Sequence, residues 1–233
     1  MKNKTLIIIG IIVVVALLIV ATIIPTKEKK EEKIKVDLLG IDYNIEGNET
    51  SLKYETTNPV VAMNIEKYGS IVMELYPEIA PNTVNNFISL VKSGFYDNNS
   101  FHRLVPGFVL QGGDPDGNGS GGPGYTIKGE FTNNGFENNL KHDKWVISMA
   151  RSQDNDSAGS QFFICLDTAS NLDGSYAAFG KVIDGFKVLE KIEDNEIVTD
   201  QTSGKLQENL VIKKALVDLK GKEYPEVEKI SEQ

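Results

Sequence analysis

Residues 101–114 read FHRLVPGFVLQGGD. Two short apolar runs, Leu104-Val105 and Phe108-Val109-Leu110, flank the turn signal Pro106-Gly107, and Gly112-Gly113 ends the second run. Arg103 and Gln111 are long polar side chains set among aliphatic and aromatic neighbours. Strand alternation places Val109 and Gln111 on one face, and the bend at Pro106-Gly107 can re-aim Phe108. Two readings are open at this point. The stretch is either a core strand with Arg103 in a structural ion pair, or an apolar surface edged by a permanent cation and an amide.

Two further segments bear on the choice: residues 146–166, VISMARSQDNDSAGSQFFICL, and residues 171–181, NLDGSYAAFGK. Taken in order, FHR-x-x-PGF-x-x-QGGD, SMAR, GSQFFI and LDG-x-Y-x-x-FGK resemble the cyclophilins, the peptidyl-prolyl cis-trans isomerases, from about residue 60 to residue 219. Each piece alone is common; the set in this order and spacing is specific. The glycine-rich insert at residues 112–131 and the Arg151 that follows Met149-Ala150 look like the bacterial and archaeal branch.

The resemblance implies an all-β fold: an eight-stranded antiparallel barrel capped by two helices, catalysing cis-trans isomerisation of X–Pro bonds. It implies Arg103 and Gln111 at the catalytic centre. Phe108, Val109, Phe163 and Leu172 would line a proline pocket, Gln111 and Gln161 would hold the peptide backbone, and Ala150, Arg151 and Tyr176 would border the groove. Four positions depart from common family patterns. Val109 stands where many relatives have Met, Arg151 where eukaryotic members have Asn, Tyr176 at the place of a His, and Asn171 at that of a large aromatic. The last change should weaken cyclosporin binding. The expected partners are proline-containing polypeptides, no cofactor is implied, and the protein is expected to act as a monomer. The alternative on the same fold is a non-catalytic proline-peptide module or holdase, which would have no need of Arg103.

The residue pattern agrees with that topology. Two alternating runs at residues 60–76 surround Lys67-Tyr68-Gly69-Ser70, a hairpin signal. Pro81-Asn82-Thr83 starts a helix whose Val84, Phe87, Ile88 and Val91 recur at helical spacing up to Gly94. Residues 184–193 repeat this with Phe186, Leu189 and Ile192, and residues 210–219 read as a late strand able to close a sheet. Many short strands with two helices favour a barrel.

Composition narrows the function further. The 233-residue chain carries a formal charge of −9, which argues against non-specific nucleic-acid binding. Cys165 is the sole cysteine, so no intramolecular disulfide forms; inside FFICL it reads as a small buried hydrophobe. Asp114, Asp116, Asn118 and Ser120 match the first ligand positions of a calcium loop, but the twelfth position is Tyr125, not the bidentate Glu, so a surface loop is expected. Gly117-x-Gly119-x-x-Gly122 lacks the strand–helix context of a dinucleotide site. His102 and His142 have no ligand-spaced companions, so no metal centre is expected. No Ser or Cys sits in a nucleophile elbow.

The ends differ from the middle. Residues 5–24 are twenty residues without a charge, behind a short basic start. As a helix they span ~30 Å, a bilayer core. A cleaved signal peptide is the competing reading, with Ile19-Val20-Ala21 a poor cleavage site. A literal count of flanking lysines points the domain into the cytoplasm. A basic start ahead of an apolar run is nonetheless how export signals begin, and an exported, anchored domain is expected. The organisation read from sequence is a single transmembrane anchor at 1–25, a charged tether with possible short strands at 26–57, an isomerase domain at 58–220 and a frayed charged tail at 221–233.

Overall fold

The computed structural model describes residues 39–232. The expected membrane segment lies outside them; among the described residues no helix is long and apolar enough to cross a membrane. In chain order the elements are β1 (Val60–Ile65), β2 (Gly69–Leu75), α1 (Pro81–Lys92), β3 (Ser100–Val105), β4 (Val109–Gly112), β5 (Tyr125–Ile127), β6 (Val146–Met149), β7 (Phe162–Cys165), β8 (Ala178–Asp184), α2 (Phe186–Asn195), β9 (Val198–Asp200), β10 (Lys205–Asp218) and β11 (Lys229–Glu232).

The main sheet runs β1-β2-β8-β6-β7-β4-β3-β10-β9, and a further β1–β10 pairing closes it. Its ladders are antiparallel, so β1, β2, β8, β6, β7, β4, β3 and β10 form the expected eight-stranded barrel, while β9 hangs from β10 as a hairpin. Closure removes the free edges that an open sheet must protect. The late strand that closes the ring is longer than expected, beginning at Lys205 rather than Leu210.

Strand alternation sorts side chains between two surfaces. Val61, Met63 and Ile65 of β1 enter the barrel with Met73, Leu75, Leu110 and Ile164. Helix α1 begins at Pro81, as expected of a residue whose missing N–H is not needed there. Its cap comes from elsewhere in the chain. The buried Glu130 carboxylate accepts from the backbone N–H groups of Asn82 (3.0 Å) and Thr83 (2.8 Å), placing negative charge at a helix N-terminus. The helix brings Phe87 against Tyr96, Phe162 and Phe179 at ring centroid distances of 5.1, 5.2 and 5.1 Å. The second helix begins at Phe186, two residues later than its pattern suggested. Gly185 precedes it at φ 82°, and a Cβ there would meet the Ser70 carbonyl at 2.3 Å.

Both flanking segments pack on the barrel. Val60 and Ala62 point outward from β1, and Ile41, Tyr43 and Leu52 cover them. Where short strands were possible, the described residues of the first segment make one parallel bridge, Glu49 to Val217. At the other end the expected frayed tail is instead ordered up to residue 232. Tyr224 and Val227 pack against the core, and β11 pairs with β5. The apolar residues of the tail are sparse among charges, so they show no face until the barrel supplies one.

Candidate active site

The site is built on β3, β4 and β7, which lie side by side in the ring. Arg103 and Gln111 are register partners across β3 and β4, and Gln111 faces Phe163 across β4 and β7. Sheet pairing thus brings together residues far apart in sequence.

The polar members form one chain. Arg103 Nε donates to the Ser203 carbonyl (2.7 Å) and Nη1 to Gln111 Oε1 (3.2 Å). Gln111 Nε2 donates to Gln161 Oε1 (3.0 Å), and Gln161 Nε2 donates to the carbonyls of Gly119 (3.1 Å) and Gly121 (2.9 Å). The direction of this chain is determined at both ends. A guanidinium only donates and a backbone carbonyl only accepts, so each amide between them has a single orientation that satisfies both neighbours. No described residue accepts from Arg103 Nη2, which leaves donors for a ligand. Burial lowers the Arg103 pKa, with Tyr176 opposing the shift, but a guanidinium stays charged at any physiological pH.

Beside this chain lies an apolar floor separate from the barrel core. Val109, Phe163, Cys165 and Ala169 are buried in it, and Phe108, Ala150, Leu172 and Tyr176 pack against them half-exposed. Tyr176 meets Phe163 edge-on at 5.7 Å. Every apolar residue expected in the pocket therefore belongs to one cluster, with Arg103, Gln111 and Gln161 on the same three strands or at their ends.

A profile of the cyclophilin type peptidyl-prolyl cis-trans isomerase family (Cyclophilin type peptidyl-prolyl cis-trans isomerase/CLD) matches residues 60–217, the whole of the barrel. The chain belongs to this family. It is similar to peptidyl-prolyl cis-trans isomerase B of Bacillus subtilis, 43% identical over 136 residues that make up 58% of this chain and 92% of the relative. A Helicobacter pylori peptidyl-prolyl cis-trans isomerase is 45% identical over 132 residues, 56% of this chain and 78% of the relative. Among solved structures, a Cryptosporidium parvum cyclophilin-type isomerase crystallised in the presence of the dipeptide Ala-Pro superposes with a TM-score of 0.60 at 35% identity, covering 68% of this chain and 98% of that one. The protein is a peptidyl-prolyl cis-trans isomerase.

The rim of the isomerase site carries the departures noted in the sequence. Arg151 donates from Nε to the Ser175 carbonyl (3.0 Å) and lies between the rings of Tyr176 (4.8 Å) and Phe131 (5.1 Å). Asn171 is exposed on the short turn Ser170–Leu172 that carries Leu172. A second cavity of about 440 Å³ adjoins the groove, walled by Gln111, Gln161, Ala150, Arg151, Tyr125 and Thr126 among others. A larger one of about 1130 Å³ lies between α1 and the terminal segments and contains none of the site residues. The calcium-like loop is organised by Asp114 itself. Its buried carboxylate accepts from the backbone of Asp116 (2.9 Å), Asn118 (3.0 Å) and Gly119, which leaves it turned into its own loop. No group of three or more metal-ligating side chains occurs among the described residues.

Three contributors were not visible in the sequence. Ser203 holds Arg103 through its carbonyl, and Gly204 beside it leaves no room for a Cβ, which would meet the Leu104 carbonyl at 2.8 Å. Below Phe163, His142 stacks at 6.0 Å, joined to Asp173 (3.1 Å) and Ser148 (3.0 Å). This is the atom order of a hydrolytic triad, but Ser148 and His142 are fully buried, so it functions as a brace. Cys165 is likewise closed to chemistry, its thiol pushed up to about 12 by burial.

Proposed function

We propose that the isomerase seats a substrate proline on Phe108, Val109, Phe163 and Leu172 and aims Arg103 at the nitrogen of the twisted amide. Rotation about an X–Pro bond crosses a barrier of ~20 kcal/mol set by amide resonance, and no bond is made or broken. Neither nucleophile nor acid–base pair is required. What lowers the barrier is a donor that binds the pyramidal nitrogen of the transition state better than either planar isomer. The observation that carries this reading is Arg103 itself: held at Nε and Nη1, with Nη2 unengaged, at the edge of an apolar floor. Gln111 and Gln161 then supply amide groups to the peptide backbone without first having to be ordered.

Removing one preorganised donor costs ~2.7–4 kcal/mol, two to three decades in rate. Arg103→Ala should therefore lower kcat/KM about a hundredfold or more while peptide affinity changes about tenfold or less. Arg103→Lys should not restore activity, because an ammonium lacks the planar fork. Activity that survives Arg103→Ala would remove this mechanism.

The chain's setting belongs to the same proposal. The uncharged run at residues 5–24 supports a membrane anchor with the catalytic domain outside the cytoplasm, and the insert at 112–131 with Arg151 supports the bacterial and archaeal branch. The domain acts there as a monomer on proline-containing polypeptides, and its acidic charge disfavours nucleic acid. Protease added to intact cells should remove the domain; protection until lysis would reverse the orientation.

A further inference from the structure

We propose that the C-terminal segment from Glu228 to residue 232, beyond the reach of the family profile, is a specificity element that positions one wall of the second cavity for an acidic or hydroxyl-bearing side chain flanking the X–Pro pair. The proposal rests on reading the adjoining groove as the peptide site.

The wall in question is β5. It has three residues and pairs with no strand of the barrel. Several ties join it to the rest of the molecule. Ile127 bridges to Ala158, with its N–H on the Ala158 carbonyl at 2.8 Å. Tyr125 donates from its hydroxyl to Asn86 Oδ1 (2.7 Å), and Asn86 Nδ2 reaches the Gly159 carbonyl (2.7 Å). The remaining strand partner is β11, in register Lys229 to Ile127, Ser231 to Thr126 and Glu232 to Tyr125. The Lys229 ammonium lies over the Tyr125 ring, 4.3 Å from its centroid. The segment is itself fastened to the start of α1 by a reciprocal pair: Asn82 Nδ2 donates to the Glu228 carbonyl (3.0 Å) and Glu228 N–H to Asn82 Oδ1 (2.8 Å).

Short paired strands are marginal on their own, so the pairing with β11 helps to hold β5 in place. Tyr125 and Thr126 line the same cavity as Gln111 and Gln161, the two amides that meet the substrate backbone. A peptide lying across those amides places a neighbouring side chain into this space. Among the described residues the lining contains one guanidinium, Arg151, with serine hydroxyls, amides and glycines, and no carboxylate. Such a lining suits an acidic or hydroxyl-bearing side chain and disfavours a cationic one. The tail thus acts at a distance from Arg103 and changes which peptides are held rather than how the amide rotates.

The test uses a blocked Ala-Pro dipeptide, too short to reach the cavity, and longer peptides in which Glu or Lys is walked through the positions flanking Ala-Pro. Affinities are read by NMR titration and turnover by isomerase assay. The full chain should prefer Glu over Lys at one position by about fivefold or more. In a chain ending at Val227, which keeps Tyr224 and Val227, that preference should fall to about twofold or less. Asn82→Ala, which releases the tail without altering it or the cavity, should fall between. Turnover and affinity for blocked Ala-Pro should stay within about twofold in both variants. A preference kept at full size in both variants, or absent from the full chain, overturns the proposal while leaving the isomerase reading intact. Loss of Ala-Pro turnover in both variants also overturns it, by showing a general structural role. A full chain that binds none of the peptides overturns the peptide-site reading and this proposal with it.

Discussion

The two faces of β4 and β7 are both apolar, and they do different work. Leu110, Phe162 and Ile164 face into the barrel, while Val109, Phe163 and Cys165 face out. Burial does not separate them, since Phe162 is 0% exposed and Phe163 only 4%. Their surroundings do. Phe162 is ringed by Phe87, Tyr96 and Phe101 at 5.2–5.6 Å. Phe163 has Tyr176 on one side, the His142 ring beneath, and the chain from Arg103 to Gln161 along its strands. An antiparallel sheet ordinarily turns its polar face outward. Here the outer face stays apolar and gains a polar edge, so a core-like surface becomes a floor for a ligand with one amide to address.

Truncating the two neighbouring phenylalanines should break this comparison most sharply. Phe162→Ala opens a cavity among packed rings and should cost about 3–5 kcal/mol of stability. Phe163→Ala should cost less, because that ring borders the groove, but should weaken peptide binding and turnover together. Urea unfolding and isomerase kinetics on both variants measure the contrast. Equal losses of stability, with binding unaffected by Phe163→Ala, would show that the outer cluster is simply more core.

The same contrast explains what could be read from residues alone. Period-two runs reveal that a strand has a face, and the hairpin at Lys67–Gly69, the start at Pro81 and the closing strand were legible for that reason. The outer floor needed the resemblance carried by residues 101–114 and 161–163, since alternation alone left open whether Val109 and Gln111 formed a core or a site. Ser203 was out of reach: it lies a hundred positions from Arg103 and contributes only a carbonyl. The tail was misjudged for a related reason. Tyr224 and Val227 become apolar surface only against α1 and the barrel, and Lys229 gains a role only from the Tyr125 ring.

A smaller effect sharpens the comparison at the rim of the floor. Asn171 is exposed where many cyclophilins carry an aromatic ring against cyclosporin. A ring's worth of burial is about 1.5–3 kcal/mol, so Asn171→Trp should tighten cyclosporin inhibition by about one to two decades. Inhibition constants measured on both proteins decide it, and equal values would mean that the drug does not use this position.

The smallest expected effect compares the two histidines, His102 beside Arg103 on β3 and His142 beneath the outer floor. Burial lowers both pKa values. For His102, Asp114 opposes the shift and Arg103 adds to it; for His142, Asp173 opposes it and Lys141 adds to it. Both His102 ring nitrogens are buried without a hydrogen-bond partner among the described residues, whereas both His142 nitrogens are engaged. In the unfolded chain each titrates near ~6.5. Below that pH the unfolded state takes up protons that the folded rings resist, so stability is whole above about pH 6.5 and is lost as pH falls toward the folded values. The slope is at most about 1.4 kcal/mol per pH unit for each ring. Asp114, Asp173 and Asp218, held below their usual 3.8, lose their contributions only at lower pH. Between pH 7.5 and 5.0 the protein should therefore lose stability in urea unfolding, by no more than those slopes permit. His102→Gln should flatten that dependence more than His142→Gln, because Asp173 offsets the cost of charging His142 by a hydrogen bond as well as by its charge, whereas Asp114 acts on His102 by charge alone. A stability unchanged across this range would mean that both folded rings accept protons as readily as the unfolded chain does.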